Sequence, residues 1–123
     1  MRTELTDKLF QIYPRVFPTP HPRIVVGDGS YEILSGIARK FDDLGDVIIL
    51  EVRQKIAVLR VDILCPVEKR NIANTILMAA EARSTVTCED CSEAGRPRSI
   101  EGYYRTLCET CAKSWRQRAD LQH

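Results

Sequence analysis

Two Cys-x-x-Cys pairs constrain this chain more than any other feature: Cys88-Glu89-Asp90-Cys91 and Cys108-Glu109-Thr110-Cys111. Sixteen residues, Ser92 to Leu107, separate them. That spacing belongs to structural zinc sites. Four thiolates fill a tetrahedral Zn²⁺ shell and leave no position for water or substrate, so the pattern points to a metal used for folding. The start, Met-Arg-Thr-Glu-Leu-Thr-Asp-Lys, lacks the apolar core of a secretory signal. No apolar run reaches the roughly 18 residues of a membrane span. The expected location is therefore cytoplasmic, where thiols stay reduced and clustered cysteines read as metal ligands rather than disulfides.

Three other uses of Cys-x-x-Cys fit less well. A thioredoxin-like redox pair needs one such motif after a strand in a βαβ setting. A zinc deaminase needs a His-x-Glu partner, and neither His21 nor His123 precedes x-Glu. Iron–sulfur clusters use four thiolates at different usual spacings. Cys65 stands apart before Pro66 and reads as a small buried residue at a strand end.

A chain of 123 residues makes one ordinary domain, or a small domain with an appendage. Lys and Arg total 18 against 17 Asp and Glu, a net charge of +1, which disfavours a strongly basic nucleic-acid binder. The balance is also local. From Ser84 onward Arg96, Arg98, Arg105, Lys113, Arg116 and Arg118 face Glu89, Asp90, Glu93, Glu101, Glu109 and Asp120.

Leu5, Leu9 and Ile12 recur at helical spacing and predict a helix over Thr3 to Tyr13, stopped by Pro14. Pro14, Pro18, Pro20 and Pro22 make a stiff extended connection that Val16 and Phe17 can anchor. Arg23 to Val26 reads as a short extended piece. Asp28-Gly29-Ser30 offers a turn and a helix cap. The helix that follows, Tyr31 to Leu44, puts Ile33, Leu34, Ile37, Ala38 and Phe41 on one face. Ile48, Leu50 and Val52, then Ala57, Leu59, Val61 and Ile63, alternate with their neighbours and predict a β-hairpin turning near Gln54-Lys55. Pro66 opens a helix over Val67 to Arg83, with Ile72, Ala73, Ile76, Leu77 and Ala80 on its stripe. Thr85 to Thr87 is expected to be extended.

The cysteine region reads as a knuckle, two short strands over Arg96 to Ser99 and Tyr103 to Leu107, and a helix over Cys111 to Leu121. That order is a treble-clef-like layout. The expected fold is α+β: helices on a short antiparallel sheet over residues 1–84, with a four-cysteine zinc module over residues 85–123. With no flexible linker between them, the module is expected to pack on the remainder. A core of this size cannot sustain itself, so Zn²⁺ would supply folding free energy on the order of 10 kcal/mol.

Other motifs carry less chemistry. In Gly27-Asp28-Gly29 the third glycine of a dinucleotide loop is replaced by Glu32, so a turn is the better reading. His21 reads as a solvated loop residue. Asp42-Asp43 lacks the further acids of a Ca²⁺ or Mg²⁺ site. No hydrolase triad, His-Glu-x-x-His or P-loop is present, and the chain is expected not to be an enzyme. Arg96, Arg98, Tyr103, Tyr104 and Arg105 form the candidate partner surface, since Arg and Tyr are favoured in protein interfaces and also grip bases and phosphates.

The chain resembles a loose group of small uncharacterised proteins from proteobacteria and their phages or prophages. The resemblance lies in Tyr13-Pro14-Arg15-Val16-Phe17, Gly27-Asp28-Gly29-Ser30-Tyr31, Lys55-Ile56-Ala57-Val58-Leu59-Arg60 and the stretch from Cys88 to Cys111. Within that stretch Gly95, Gly102-Tyr103 and Thr106-Leu107 fall in step. Ala57 and Ser92 stand where the group has glycine, and Tyr103 where it has tryptophan. The resemblance implies a bacterial or mobile-element setting and no particular activity. By analogy with such chains, the expected function is binding to a protein partner, as an inhibitor of a host or defence protein. Nucleic-acid binding through the Arg/Tyr hairpin is the alternative.

Overall fold

The computed structural model describes residues 1–121, and Gln122 and His123 lie outside it. It is an α+β protein with four helices and two small sheets. Helix α1 spans Thr3–Ile12, and strand β1 spans Arg23–Val25. A 3₁₀ turn at Asp28–Ser30 leads into α2, Tyr31–Leu44. Strands β2 (Ile48–Lys55) and β3 (Val58–Leu64) follow, then a 3₁₀ turn at Val67–Lys69 and α3, Arg70–Ser84. Strands β4 (Arg96–Ile100) and β5 (Tyr103–Leu107) precede α4, Glu109–Leu121.

Helix α2 buries Ile33, Leu34, Ile37, Ala38 and Phe41, the face its periodicity predicts. Gly45, at φ 79°, ends it and returns its N–H to Phe41 O. Lys69 Nζ then donates to Leu44 O at 2.9 Å and Gly45 O at 3.1 Å, placing a cation at the negative end of the helix. The expected side-chain cap at Ser30 does not form. Asp28 turns away and accepts from Arg2, at 2.7 Å from its N–H and 2.8 Å from Nε.

The larger sheet corrects the antiparallel expectation. Its order is β1-β2-β3. β2 and β3 pair antiparallel, but β1 pairs parallel with β2, Ile24 opposite Val52. A parallel neighbour requires a crossover, and α2 supplies it. The hairpin turn lies at Ile56-Ala57, two residues beyond Gln54. Both have positive φ, 50° and 62°, the geometry that closes a two-residue hairpin with the right twist. The predicted alternation of β2 also breaks. A bulge between Ile49 and Glu51 turns Leu50 to solvent, so Ile49 and Val52 face the core together.

Helix α3 packs on β3 and on α2, and together with the sheet they enclose the core. Phe17, Phe41, Leu9, Leu34, Ile49 and Leu59 are fully buried there, each contributing about 1.5–3 kcal/mol. Within α3 only Ala73 and Ser84 are fully buried, with Ile76, Leu77 and Ala80 packed at the core's edge and Ile72 exposed. Thr85 and Val86 turn rather than extend, and Thr87 pairs with Ala94 in an isolated bridge. His21, expected to be solvated, is exposed but stacks on Phe10 with ring centroids 4.0 Å apart.

A second cluster is much smaller: Cys88, Ile100, Leu107 and Ala112, edged by Cys108, Cys111 and Trp115. It is joined to the larger body by specific bonds. Thr106 Oγ1 donates to Ala57 O at 2.8 Å, and Gly29 N donates to Glu89 O at 2.8 Å.

Candidate metal centre

The Sγ atoms of Cys88, Cys91, Cys108 and Cys111 lie within 4.8 Å of one another. Cys91 and Cys108 are 3.6 Å apart. A tetrahedron of sulfurs at about 2.3 Å from Zn²⁺ has edges of about 3.8 Å. None of the cysteines is in a disulfide. The donor set is all thiol, which suits a soft or borderline metal ion, and it closes the shell. Cys88 is buried, Cys108 and Cys111 are half-buried, and Cys91 is exposed, so an ion has a route in from the Cys91 side.

The first pair sits on a tight knuckle. Ser92, at φ 69°, lets the chain fold back, and Ser92 N donates to Cys88 O at 3.0 Å. Cys88 N donates to Glu93 O at 2.7 Å, and Gly95 N to Val86 O at 2.9 Å. The second pair stands where β5 gives way to α4, so Cys111 N donates to Cys108 Sγ at 3.4 Å. That amide holds the Cys108 thiol down to about 7. Burial pushes the Cys91 and Cys111 thiols up. One thiol is therefore readier to ionise than an ordinary cysteine and two are less ready, so a bound cation would have to displace their protons.

The knuckle is pressed against the loop before α2. A methyl group on Gly27 would stand 2.2 Å from Glu89 O, and one on Gly29 would stand 2.1 Å from Cys88 O. The Gly-x-Gly spacing thus serves contact with the metal knuckle, not a nucleotide. Glu89 extends the contact inward. Its N–H donates to Thr106 O at 2.9 Å, and its Oε2 accepts from Thr106 N at 2.6 Å. Its side chain is 3 % exposed and lies 3.4 Å from Arg105. Burial raises the Glu89 carboxyl above the usual carboxylate range, opposed by the Thr106 amide and Arg105. Asp90 accepts from Trp115 Nε1 at 2.6 Å.

The five residues of the candidate partner surface do not form one free patch. Arg98 is drawn inward, donating from Nε to Leu107 O at 2.9 Å and pairing with Glu109 at 3.2 Å. Arg105 spans Glu89 and Asp90, at 3.4 and 3.8 Å, and stacks 4.1 Å over the Trp115 ring. Tyr103, Tyr104 and Arg96 are exposed. The hairpin register puts Tyr103, Arg98 and Arg105 on one face and Tyr104 on the other. The Tyr103 face meets α4 around a cleft of about 510 Å³, lined by Ile100, Glu101, Tyr103, Arg105, Trp115, Arg118 and Ala119. Trp115 and Arg118 belong to this site and were not part of the predicted surface. Trp115 lies one helical turn beyond Cys111, which is the signal the sequence held.

Cys65 lies apart from the cluster, half-buried at the end of β3, its Sγ 3.3 Å from Pro66 O. Among the described residues no helix is long and apolar enough to cross a membrane. No family model, curated protein or solved structure matches this chain.

Proposed function

We propose that this chain is a non-enzymatic zinc protein whose C-terminal module, residues 85–123, has the treble-clef design and presents a binding face to a protein partner. The observation that carries the reading is the convergence of four thiols on one point, with no ligand position left over for substrate. The small second core supports it. Four buried residues cannot hold a hairpin against a helix without a further source of free energy. In the setting implied by the resemblance, the partner is a host or defence protein that the chain binds and blocks. Nucleic-acid binding, the alternative, is weakened because Arg98 and Arg105 already face carboxylates.

The test has two arms. Protein purified without added zinc is expected to carry one equivalent of it; less than half an equivalent, or a brown iron–sulfur chromophore, sinks the metal assignment. The zinc-loaded protein is then expected to show no steeply salt-dependent affinity for DNA or RNA and to form a stoichiometric complex with a protein from its native host. Micromolar, salt-sensitive nucleic-acid binding without such a complex would transfer the function to the alternative.

A further inference from the structure

We propose that the cleft between the β4–β5 hairpin and α4 binds a short peptide segment of the partner, one that carries an acidic residue beside a large apolar one. The proposal rests on the protein-binding reading and names the chemistry that reading leaves open. The base of the cleft is apolar: Ile100 is 7 % exposed, and Trp115 and Ala119 are half-buried beside it. Arg105 and Arg118 stack over the Trp115 ring, 4.1 and 4.4 Å from its centroid. A guanidinium held over an aromatic ring keeps N–H groups free to act as donors.

The two arginines differ in charge state. Arg105 is compensated by Glu89 and Asp90. Arg118 pairs with no carboxylate among the described residues and is exposed. The cleft therefore offers Arg118, with no carboxylate within ion-pair distance among the described residues, next to an apolar floor, with Glu101 also on its lining. A complementary ligand has one carboxylate within a few bonds of a bulky hydrocarbon group, which a peptide containing Asp or Glu next to Leu, Phe or Trp supplies. A polyanion fits poorly, because Glu101 lines the cleft and the surrounding module carries as many acids as bases. Trp, Tyr and Arg together are the residue types that dominate binding energy at protein interfaces.

The cleft is also tied to the metal knuckle. Trp115 is fixed by Asp90, and Arg105 by Glu89 and Asp90. Its two chief walls are thus held by the residues between Cys88 and Cys91, and peptide binding requires the closed four-cysteine site.

The experiment pans the zinc-loaded full chain against displayed random heptapeptides and measures soluble copies of enriched sequences by fluorescence anisotropy. The expected winners carry Asp or Glu close to a large apolar residue. Arg118→Glu, which reverses the charge, and Ala119→Trp, which fills the cleft, should each weaken them at least about tenfold. Arg70→Ala, at the start of α3 and absent from the cleft lining, should leave them unchanged, and removal of zinc should abolish binding. Zinc content and circular dichroism establish that each variant is folded. The proposal is overturned if no sequence is enriched, if winners lack an acid, or if neither cleft variant weakens them. Oligothymidylate binding abolished by Arg118→Glu would overturn it in favour of nucleic acid. A host protein captured equally by wild type and both cleft variants would overturn the cleft while leaving the protein-binding reading intact; absence of zinc would overturn both.

Discussion

Trp115 donates its indole N–H to Asp90 Oδ2 at 2.6 Å. One residue lies on α4 and the other lies between the cysteines of the first pair. The bond spans the two halves of the metal centre, and Trp115 is the chain's single tryptophan. Its fluorescence is therefore a direct reporter of the site. Chelation of the metal is expected to shift the emission to longer wavelength as the ring meets water, and added zinc should restore it. Emission that stays fixed while the metal leaves would show that the bond does not depend on the ion.

Four of the cysteines cluster and the fifth stands apart. Serine at Cys88 or Cys108 should abolish stoichiometric metal binding and remove stabilisation on the order of 10 kcal/mol from the module. Cys65→Ser should retain one equivalent of metal, because Cys65 stands outside the cluster. Metal analysis after gel filtration makes the comparison, and metal loss in Cys65→Ser would contradict the assignment.

Protons compete with the metal for the same sulfurs. Cys91 and Cys111 hold their protons above the usual thiol range, and Cys108 releases its own near 7. Lowering the pH through 7 adds a proton to the last of these and weakens metal binding. Apparent affinity should fall up to about tenfold per pH unit for each proton released by the ion. Competition with a chromogenic chelator between neutral and mildly acidic pH measures the slope; a flat profile would be inconsistent with thiolate ligation.

Glu89 carries the opposite sign. Its folded-state pKa is raised, chiefly by burial, so its stabilising contribution is full below the ordinary carboxylate range. That contribution is lost as pH rises through the raised value. Glu89→Gln should cost less than Glu89→Ala, because the amide oxygen still accepts from Thr106 N. Glu89→Ala leaves that buried N–H without an acceptor and should cost about 1–3 kcal/mol. Denaturation midpoints of the zinc-loaded proteins test the pair; equal losses for Gln and Ala would refute the account.

Glycine substitutions should divide sharply by position. Gly27→Ala and Gly29→Ala drive a methyl into the knuckle backbone and should destabilise by more than about 2 kcal/mol. Gly36→Ala, on α2 with nothing within 4 Å of its new methyl, should stabilise by roughly 0.5–1 kcal/mol. Thermal unfolding of the three variants would expose an error if their order were reversed.

Much of this structure is readable where short-range pattern governs it. The apolar face of α2 and the strand–turn–strand between the cysteine pairs follow from local spacing, because a helix stripe and a two-residue turn are decided by near neighbours. The bulge at Leu50 is not local. It places Ile49 and Val52 inward together, and period-two reading has no means of inserting the extra residue. The parallel pairing of Arg23–Val25 is equally hidden, since three residues carry no period and their partner lies beyond a whole helix. At the site, Cys-x-x-Cys spacing identifies the thiols. The arginines of the hairpin, however, read as free surface until Glu89, Asp90 and Glu109 are seen beside them.

The contact of Gly29 with the knuckle has a consequence for the order of events during synthesis. The loop at Gly27–Ser30 leaves the ribosome well before Cys88, and longer still before Cys108 and Cys111. Until the later pair arrives and an ion is captured, that early loop lacks the backbone carbonyl of Glu89 on which its amide rests. If the proposed ion is bound there, metal supply would act as a late checkpoint on an early segment. A chain made without the metal would leave the loop at Gly27–Ser30 without that partner, although the four clustered cysteines lie in its last third.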